Sequence, residues 1–439
     1  MSAKKRRRLL LLYAPGALGP IDLLRRLRPV ADLVVAVPEQ FRDDPGVTMF
    51  RQFFEPAIFD PRDEIPDASG CDGVVTYTDL LVRTAAEVAH RHNLPGQSPE
   101  AALALTDKEV QRRVLAEHGV DVLRCATLHQ PLDWERAVAK VGLPAVLKPR
   151  CGSGSRNAYR IDDPAVGARL VKDLLESGPD GPVETGMVLE ELLVGVDQGR
   201  HGDYCSVESV TSGGVTTHLA VMSKFRLIKP FRESGHFWPS HLDEATQEQA
   251  RAVTTAALRA IGFHDGVSHT ELKLTPDGPR VIEVNGRLGG FVNELFAHSG
   301  GPDLVVAAAT VALGEQPELG FGGGLPLVFT FNQLAPPDAV ALLGVEGLNA
   351  VRALNGVLAH RMLIAPGENL LPGLQIQDLD CLNATANDHD GMYALLEAVA
   401  TRLTFGFRLH DAGGPEVWLP ATELPSAAAF AVSPTAVGV

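Results

Sequence analysis

His269-Thr270-Glu271-Leu272-Lys273-Leu274-Thr275-Pro276-Asp277-Gly278-Pro279-Arg280-Val281-Ile282-Glu283-Val284-Asn285 is the stretch on which the reading of this chain turns. It reads as a β-hairpin. With the turn centred on Asp277, Glu271 pairs with Glu283 and His269 with Asn285. Side-chain alternation puts these four on one face together with Lys273. Leu272, Leu274, Ile282 and Val284 take the other face and make core. Two carboxylates directly opposed on a sheet repel each other, so their coexistence points to a counter-ion, and oxygen ligands suit Mg²⁺. The same pattern also fits a solvated hairpin face on which Lys273 softens the repulsion.

Upstream, Ala145-Val146-Leu147-Lys148-Pro149 reads as an apolar strand ending in Lys148, followed by Arg150-Cys151-Gly152-Ser153-Gly154-Ser155-Arg156. The backbone N–H groups and hydroxyls of such a loop can cradle phosphate. No Gly-Lys-Ser/Thr follows, so this is not a Walker loop. Thr106 with Glu109 three residues on reads as a capping box that opens a helix, with Val110, Val114 and Leu115 as its apolar face and Gly119 as its end. Lys108 then sits in the first turn, where a cation opposes the helix dipole. An anion nearby would explain it; a solvated lysine is the plainer account. Residues 188–195 read as a strand running into a connecting segment, 204–210 with 215–221 as a hairpin, and 243–261 as an amphipathic helix. Residues 224–239 mix cations, aromatics and glycine. They are either a surface loop or, in an acidic chain, the neighbour of an anionic ligand.

The N-terminal third has a different rhythm. Residues 9–13, 33–37 and 73–77 read as buried strands, with helices over 21–27 and 80–90. Alternating strands and helices imply a parallel sheet. The glycines of the first loop, residues 14–20, do not form G-x-G-x-x-G, which argues against dinucleotide binding.

Three elements in order resemble the ATP-grasp ligases: Asp107-Lys108; Lys148-Pro149 with Gly152-Ser153-Gly154-Ser155; and Glu271 with Glu283-Val284-Asn285-Gly286-Arg287. The likeness covers residues 70–320. Glu233-Ser234-Gly235-His236 and Asn285-Gly286-Arg287-Leu288-Gly289-Gly290 resemble the L-amino-acid ligases, the dipeptide-forming group, and carnosine-synthase-like ligases share much of this. The resemblance implies ATP and one or two Mg²⁺, with Mn²⁺ as an alternative, as cofactors. Lys108 and Lys148 would bind the phosphates, and Gly152, Ser153, Gly154 and Ser155 would close over them. Glu190, Glu191 and Leu193 would meet the adenine. Asp197 or, if residues 198–202 are an insertion, Asp203 would hold the ribose. Glu271, Glu283 and Asn285 would ligate metal. Arg287 would stabilise the transferred phosphoryl group. Glu233 and His236 would face the amino-acid substrate, with His236 a candidate proton acceptor, and Gly290 and Phe291 would shape the second pocket. Arg156-Asn157 departs from the usual Arg-Gly of the phosphate loop, which puts its flexibility in question.

The implied architecture is α/β and α+β. It comprises an N-terminal doubly wound domain (1–105), a small lid domain (106–190), a larger antiparallel-sheet domain with the metal site (191–315) and a C-terminal extension (316–439). The implied reaction joins a carboxylate to an amine through an acyl phosphate. The alternatives are a carboxylating or purine-pathway-like relative, or a degenerate ATP-binding regulatory module.

Composition sets the frame. The chain has 439 residues, 45% hydrophobic and 21% charged, enough for several cores. A net charge of −15 argues against nucleic-acid binding. Five dispersed cysteines without a C-x-x-C pair argue against a disulfide framework and point to a reducing cytoplasm. Lys4, Lys5 and Arg6 to Arg8 before four leucines suggest a signal peptide, but Pro15 and Gly16 break the run, and a basic tail before a buried strand reads better. No stretch is long enough for a membrane helix. The expected partners are small-molecule substrates. The family also forms homodimers, although no seam is legible here.

Overall fold

The computed structural model describes residues 6–16, 18–176, 183–322, 327–370 and 376–430. The expected basic tail at Lys4 and Lys5, and Ala17 in the first loop, lie outside the described residues. Strands β1 (Arg8–Leu12), β2 (Asp32–Pro38), β3 (Ala57–Phe59) and β4 (Gly73–Thr76) form a parallel sheet in the order β3-β2-β1-β4. The four leucines of β1 are buried on both faces, as a parallel strand between helices requires.

A second sheet holds β5 (Cys125–Leu128), β6 (Ala145–Pro149), β7 (Tyr159–Ile161) and β8 (Met187–Glu191) in the order β5-β8-β6-β7. The helices Trp134–Val141 and Pro164–Leu175 cover one face and close a small separate core around Trp134, Leu147 and Leu189.

The largest sheet is antiparallel. It contains β9 (His201–Ser212), β10 (Val215–Phe225), β11 (Gly235–Trp238), β12 (Gly266–Thr275), β13 (Gly278–Asn285) and β14 (Leu327–Phe331). After β15 (Ala339–Glu346), the chain adds β16 (Val357–Met362) and β17 (Asp380–Ala386) to it, giving the order β13-β12-β9-β10-β11-β14-β17-β16. The expected boundary at 315/316 therefore falls inside the span of one sheet. β18 (Thr404–Leu409) and β19 (Glu416–Pro420) pair with β15 in a small outer sheet.

The hairpin β12–β13 has the expected pairings: Glu271 faces Glu283 and His269 faces Asn285. Its two-residue turn is one residue tighter than a turn centred on Asp277, and a bulge between Glu271 and Leu272 restores the register. The bulge corrects the reading of Ile282, which leaves the core and joins the site wall, while Val281 takes the buried place beside Leu272 and Leu274. Helix Glu244–Ile261 packs behind this face, through Ala250, Ala257 and Leu258. Physically, β13 is the sheet's edge, and the unpaired carbonyls of Val281 and Ile282 accept from the Arg112 guanidinium at 2.7 and 2.6 Å. Gln111 caps Val284 on both its N–H and its carbonyl, at 2.9 Å each. The helix Lys108–Glu117 is thereby fastened to the hairpin.

That helix also corrects the expected capping box. Thr106 ends the preceding helix, Pro99–Thr106, and its hydroxyl donates to Ala102. Asp107 is the cap, accepting from the N–H groups of Glu109 and Val110.

Candidate active site

The ends of β6, β8, β12 and β13 converge on a cavity of about 860 Å³. At one end stand two lysines. Lys108, one residue past its helix cap, reaches Glu283 at 2.8 Å and the Gly152 carbonyl at 2.8 Å. Burial alone would lower its affinity for a proton, and Glu283 outweighs that effect. Lys148, at the end of β6, meets Glu190 at 2.8 Å, and Arg112 grips the same carboxylate with two N–H groups at 2.9 and 3.0 Å. Glu190 is buried, which would raise its pKa; the two cations bring it down to about 2. Each lysine thus meets the cavity already paired with a carboxylate.

The Gly/Ser loop lies over these lysines. Gly154 has φ +65°, in the left-handed region where a side chain is strained. Ser155 Oγ donates to the Phe231 carbonyl at 2.7 Å. Arg156 pairs with buried Glu184, which also accepts from Asn157 Nδ2 at 2.7 Å. The departure at Arg156-Asn157 therefore has a local use: both residues tie the loop's exit to Glu184.

At the hairpin, each opposed carboxylate has its own cation. Glu283 has Lys108. Glu271 Oε1 accepts from His269 Nε2 at 3.2 Å, while His269 Nδ1 lies 2.6 Å from Glu208. Burial would push this imidazole down, yet the two carboxylates raise it to about 9. Lys224, buried at the end of β10, adds a third positive charge among Glu233, Glu271 and Glu208 and sits 3.2 Å from Glu233. Of the two readings of 224–239, the surface loop does not hold: Lys224 is buried and lines the site, and Phe225, Ile228 and Phe237 are in the core.

Arg287 follows β13. Its Nε and Nη2 donate to Asp79 at 2.9 and 2.8 Å, which links the hairpin to the N-terminal domain. Burial would ease its deprotonation, but Asp79 keeps it charged. Phe291, in a left-handed turn at φ 60°, and Gly290 line the far wall, where the Arg361 guanidinium lies 6.0 Å from the Phe291 ring. His236 is buried. Its pKa is held well below 6.5 by burial first and then by Lys224 and His269, so it is a neutral imidazole of weak basicity.

The cavity wall brings together Lys108, Lys148, the 152–155 loop, Glu190, Glu191, Leu193, Glu233, His236, Glu271, Glu283, Asn285, Arg287, Gly290 and Phe291. It leaves out Asp197, which is exposed and turns back to the Gly199 N–H, and Asp203, which neutralises Lys273 at 2.6 Å. Asp203 meets the cavity only through Lys273, which lines it. Among the described residues no three His, Cys, Asp or Glu side chains stand as a metal cluster. The candidate set is two carboxylates and an amide, all oxygen donors with phosphate oxygens and water left to complete the shell, which is how Mg²⁺ is commonly held beside a nucleotide. Sequence reasoning missed Asp79, Arg112, Glu208, Lys224, Asn332 and Asp378. The cation count at 224–232 was a signal for Lys224, whereas Asp79 and Asp378 meet the site only through the fold.

Comparison with known proteins bears on the domain and the fold. An ATP-grasp domain family matches residues 141–294. Human carnosine synthase is 31% identical over 265 residues, 56% of this chain and 31% of its own length. The alanine–anticapsin ligase of Bacillus subtilis is 27% identical over 244 residues, covering 52% of this chain and 51% of the relative. The chain spans 31–59% of the length of such curated relatives. The crystal structure of an L-amino acid ligase from Bacillus licheniformis superposes with a TM-score of 0.70 over 91% of this chain and 98% of that one, at 21% identity. The chain therefore carries an ATP-grasp domain over residues 141–294 and has the ATP-grasp fold.

Proposed function

We propose that the protein is an ATP- and Mg²⁺-dependent ligase that forms an amide between an amino-acid carboxylate and an amine, releasing ADP and phosphate. The observation that carries this reading is the convergence of Lys108, Lys148, Glu271, Glu283, Asn285 and Arg287 on one cavity. A site that only holds a nucleotide has no need of a metal set and a phosphoryl-facing arginine together.

In this reading Lys108 and Lys148 receive the phosphates, and the 152–155 loop closes over them and excludes water from the acyl phosphate. Glu190, Glu191 and Leu193 border the adenine. Glu271, Glu283 and Asn285 hold one or two Mg²⁺, with Mn²⁺ as an alternative occupant; the ion, when bound, neutralises charge on the phosphate oxygens. Arg287, oriented by Asp79, meets the negative charge that builds up as the phosphoryl group moves to the carboxylate. Glu233 and His236 border the amino acid. The weak basicity of His236 suits accepting a hydrogen bond better than storing a proton. The location is the cytoplasm, and no helix among the described residues is long and apolar enough to cross a membrane.

The test is phosphate release from ATP and Mg²⁺ with a pool of amino acids, with mass spectrometry of the product. Release that needs two amino acids and yields their amide supports the ligase. Release that needs bicarbonate instead, or nucleotide binding without turnover, overturns it.

A further inference from the structure

One part of the cavity wall holds four buried polar atoms that have no partner among the described residues: Asp378 Oδ1, Asn332 Oδ1, Ser234 Oγ and His236 Nε2. The backbone assembles them. Asn332 N donates to the Ser234 carbonyl at 2.7 Å, His236 on β11 pairs with Thr330 on β14, and Leu334 bridges to Asp378. Ser234, His236 and Asn332 are each no more than 4% exposed. Buried polar atoms are rarely left unpaired, because each costs roughly 1–3 kcal/mol. Four in one cavity corner mark a place that a ligand completes.

Their chemistry identifies the ligand. Asp378 and Asn332 present acceptor oxygens, and neutral His236 offers a ring lone pair. Ser234 can accept as well. A primary ammonium carries three N–H donors and a positive charge. Burial, and then Asp380 and Glu233, hold the Asp378 carboxyl at about 7 against the hydrogen bond from Asn332. Asp380 is itself taken up by His360 at 2.8 Å and by the Gln333 N–H. Glu233 is shared with Lys224. Among the described residues the Asp378 carboxyl has no ion-pair partner, unlike Glu190, Glu271 and Glu283.

We infer that Asp378 and Asn332, with His236 and Ser234, bind the ammonium group of the substrate that donates the carboxylate. This deepens the ligase reading and rests on it for the choice of substrate. The attacking amine must be uncharged, and a carboxylate that stabilises an ammonium would hold that amine in its unreactive form. An ammonium kept at this corner belongs to the other substrate.

The test compares carboxylates that differ only in the amino group. Phosphate release is measured with the full chain, ATP and Mg²⁺, using each amino acid and its desamino counterpart, such as alanine and propionate. Expected is at least a tenfold preference in kcat/KM for the amino acid. Asp378→Asn and Asn332→Leu should each raise its KM more than tenfold, leave the KM for ATP unchanged, and leave turnover of the desamino acid as in the parent. Equal use of both acids by the parent, or an unchanged KM in Asp378→Asn, overturns the assignment. A second measurement needs no turnover: calorimetric titration of the full chain with ethylamine and with propionate. Saturable ethylamine binding that Asp378→Asn abolishes, without any phosphate release, keeps the ammonium site and sinks the ligase reading. Phosphate release with two amino acids, but no ethylamine binding and no effect of Asp378→Asn, does the reverse.

Discussion

Arg287 is held by a fork, with Nε and Nη2 both on Asp79. Lysine cannot reproduce that grip, because an ammonium has no planar pair of donors. Arg287→Lys should lower kcat by about 10²–10³, with little change in the KM for ATP, in a steady-state phosphate assay. Asp79→Ala should lose a similar part of the rate while the arginine itself remains. A parent-like kcat in both would remove Arg287 from the chemistry. Asp378 bears on stability as well as on binding. Its folded pKa, about 7, lies above the unfolded 3.8, so the folded state keeps a proton that the unfolded chain releases. The stability linked to that proton is fully present below about 4 and is lost as pH rises through 7, a loss on the order of a few kcal/mol for a buried group. Asp378→Asn should therefore gain on the parent between pH 4.5 and pH 8, read as the shift in urea midpoint at each pH.

At the scale of elements, Gly235 and Gly154 separate fold from function. Gly235 opens β11 at φ +147°, and a methyl there would run into the Thr330 carbonyl of β14. Gly235→Ala should cost more than about 3 kcal/mol, since it strains the backbone and pries two strands apart. Gly154 has the same handedness of strain but open space around it. Gly154→Ala should cost only ~1–2 kcal/mol and slow turnover more than it lowers the melting temperature. The hairpin was legible in the sequence because strand alternation is local: Glu271 and Glu283 lie twelve positions apart across one turn, and the spacing alone aligns them. The strand before Lys148 and the helix at Glu244–Ile261 were legible for the same reason. The Ile282 bulge was not, since it answers to Arg112 from another part of the chain. Nor was the true cap, because Thr106 and Asp107 both have suitable side chains and only the end of the preceding helix decides between them.

At the scale of the molecule, the site is where separately folded layers meet. Arg112 joins the sheet of β8 to the edge of β13, and Arg287 joins β13 to the N-terminal domain. A nucleotide that bridges these layers should stabilise them together. ATP with Mg²⁺ at a hundredfold excess over its Kd should add about 2.7 kcal/mol, and chelation of the metal should remove most of the resulting rise in melting temperature. What remained illegible at this scale was Asp79, Asn332 and Asp378, whose relation to the hairpin depends on how distant segments are brought together.

The eight-stranded sheet carries one more consequence. A fragment ending at residue 315 would retain the hairpin, both lysines and the Gly/Ser loop, yet it would leave the hydrogen-bonding rim of β11 bare beside a row of uncovered phenylalanines. Such a rim recruits other chains. The shortened polypeptide should collect in the pellet during expression.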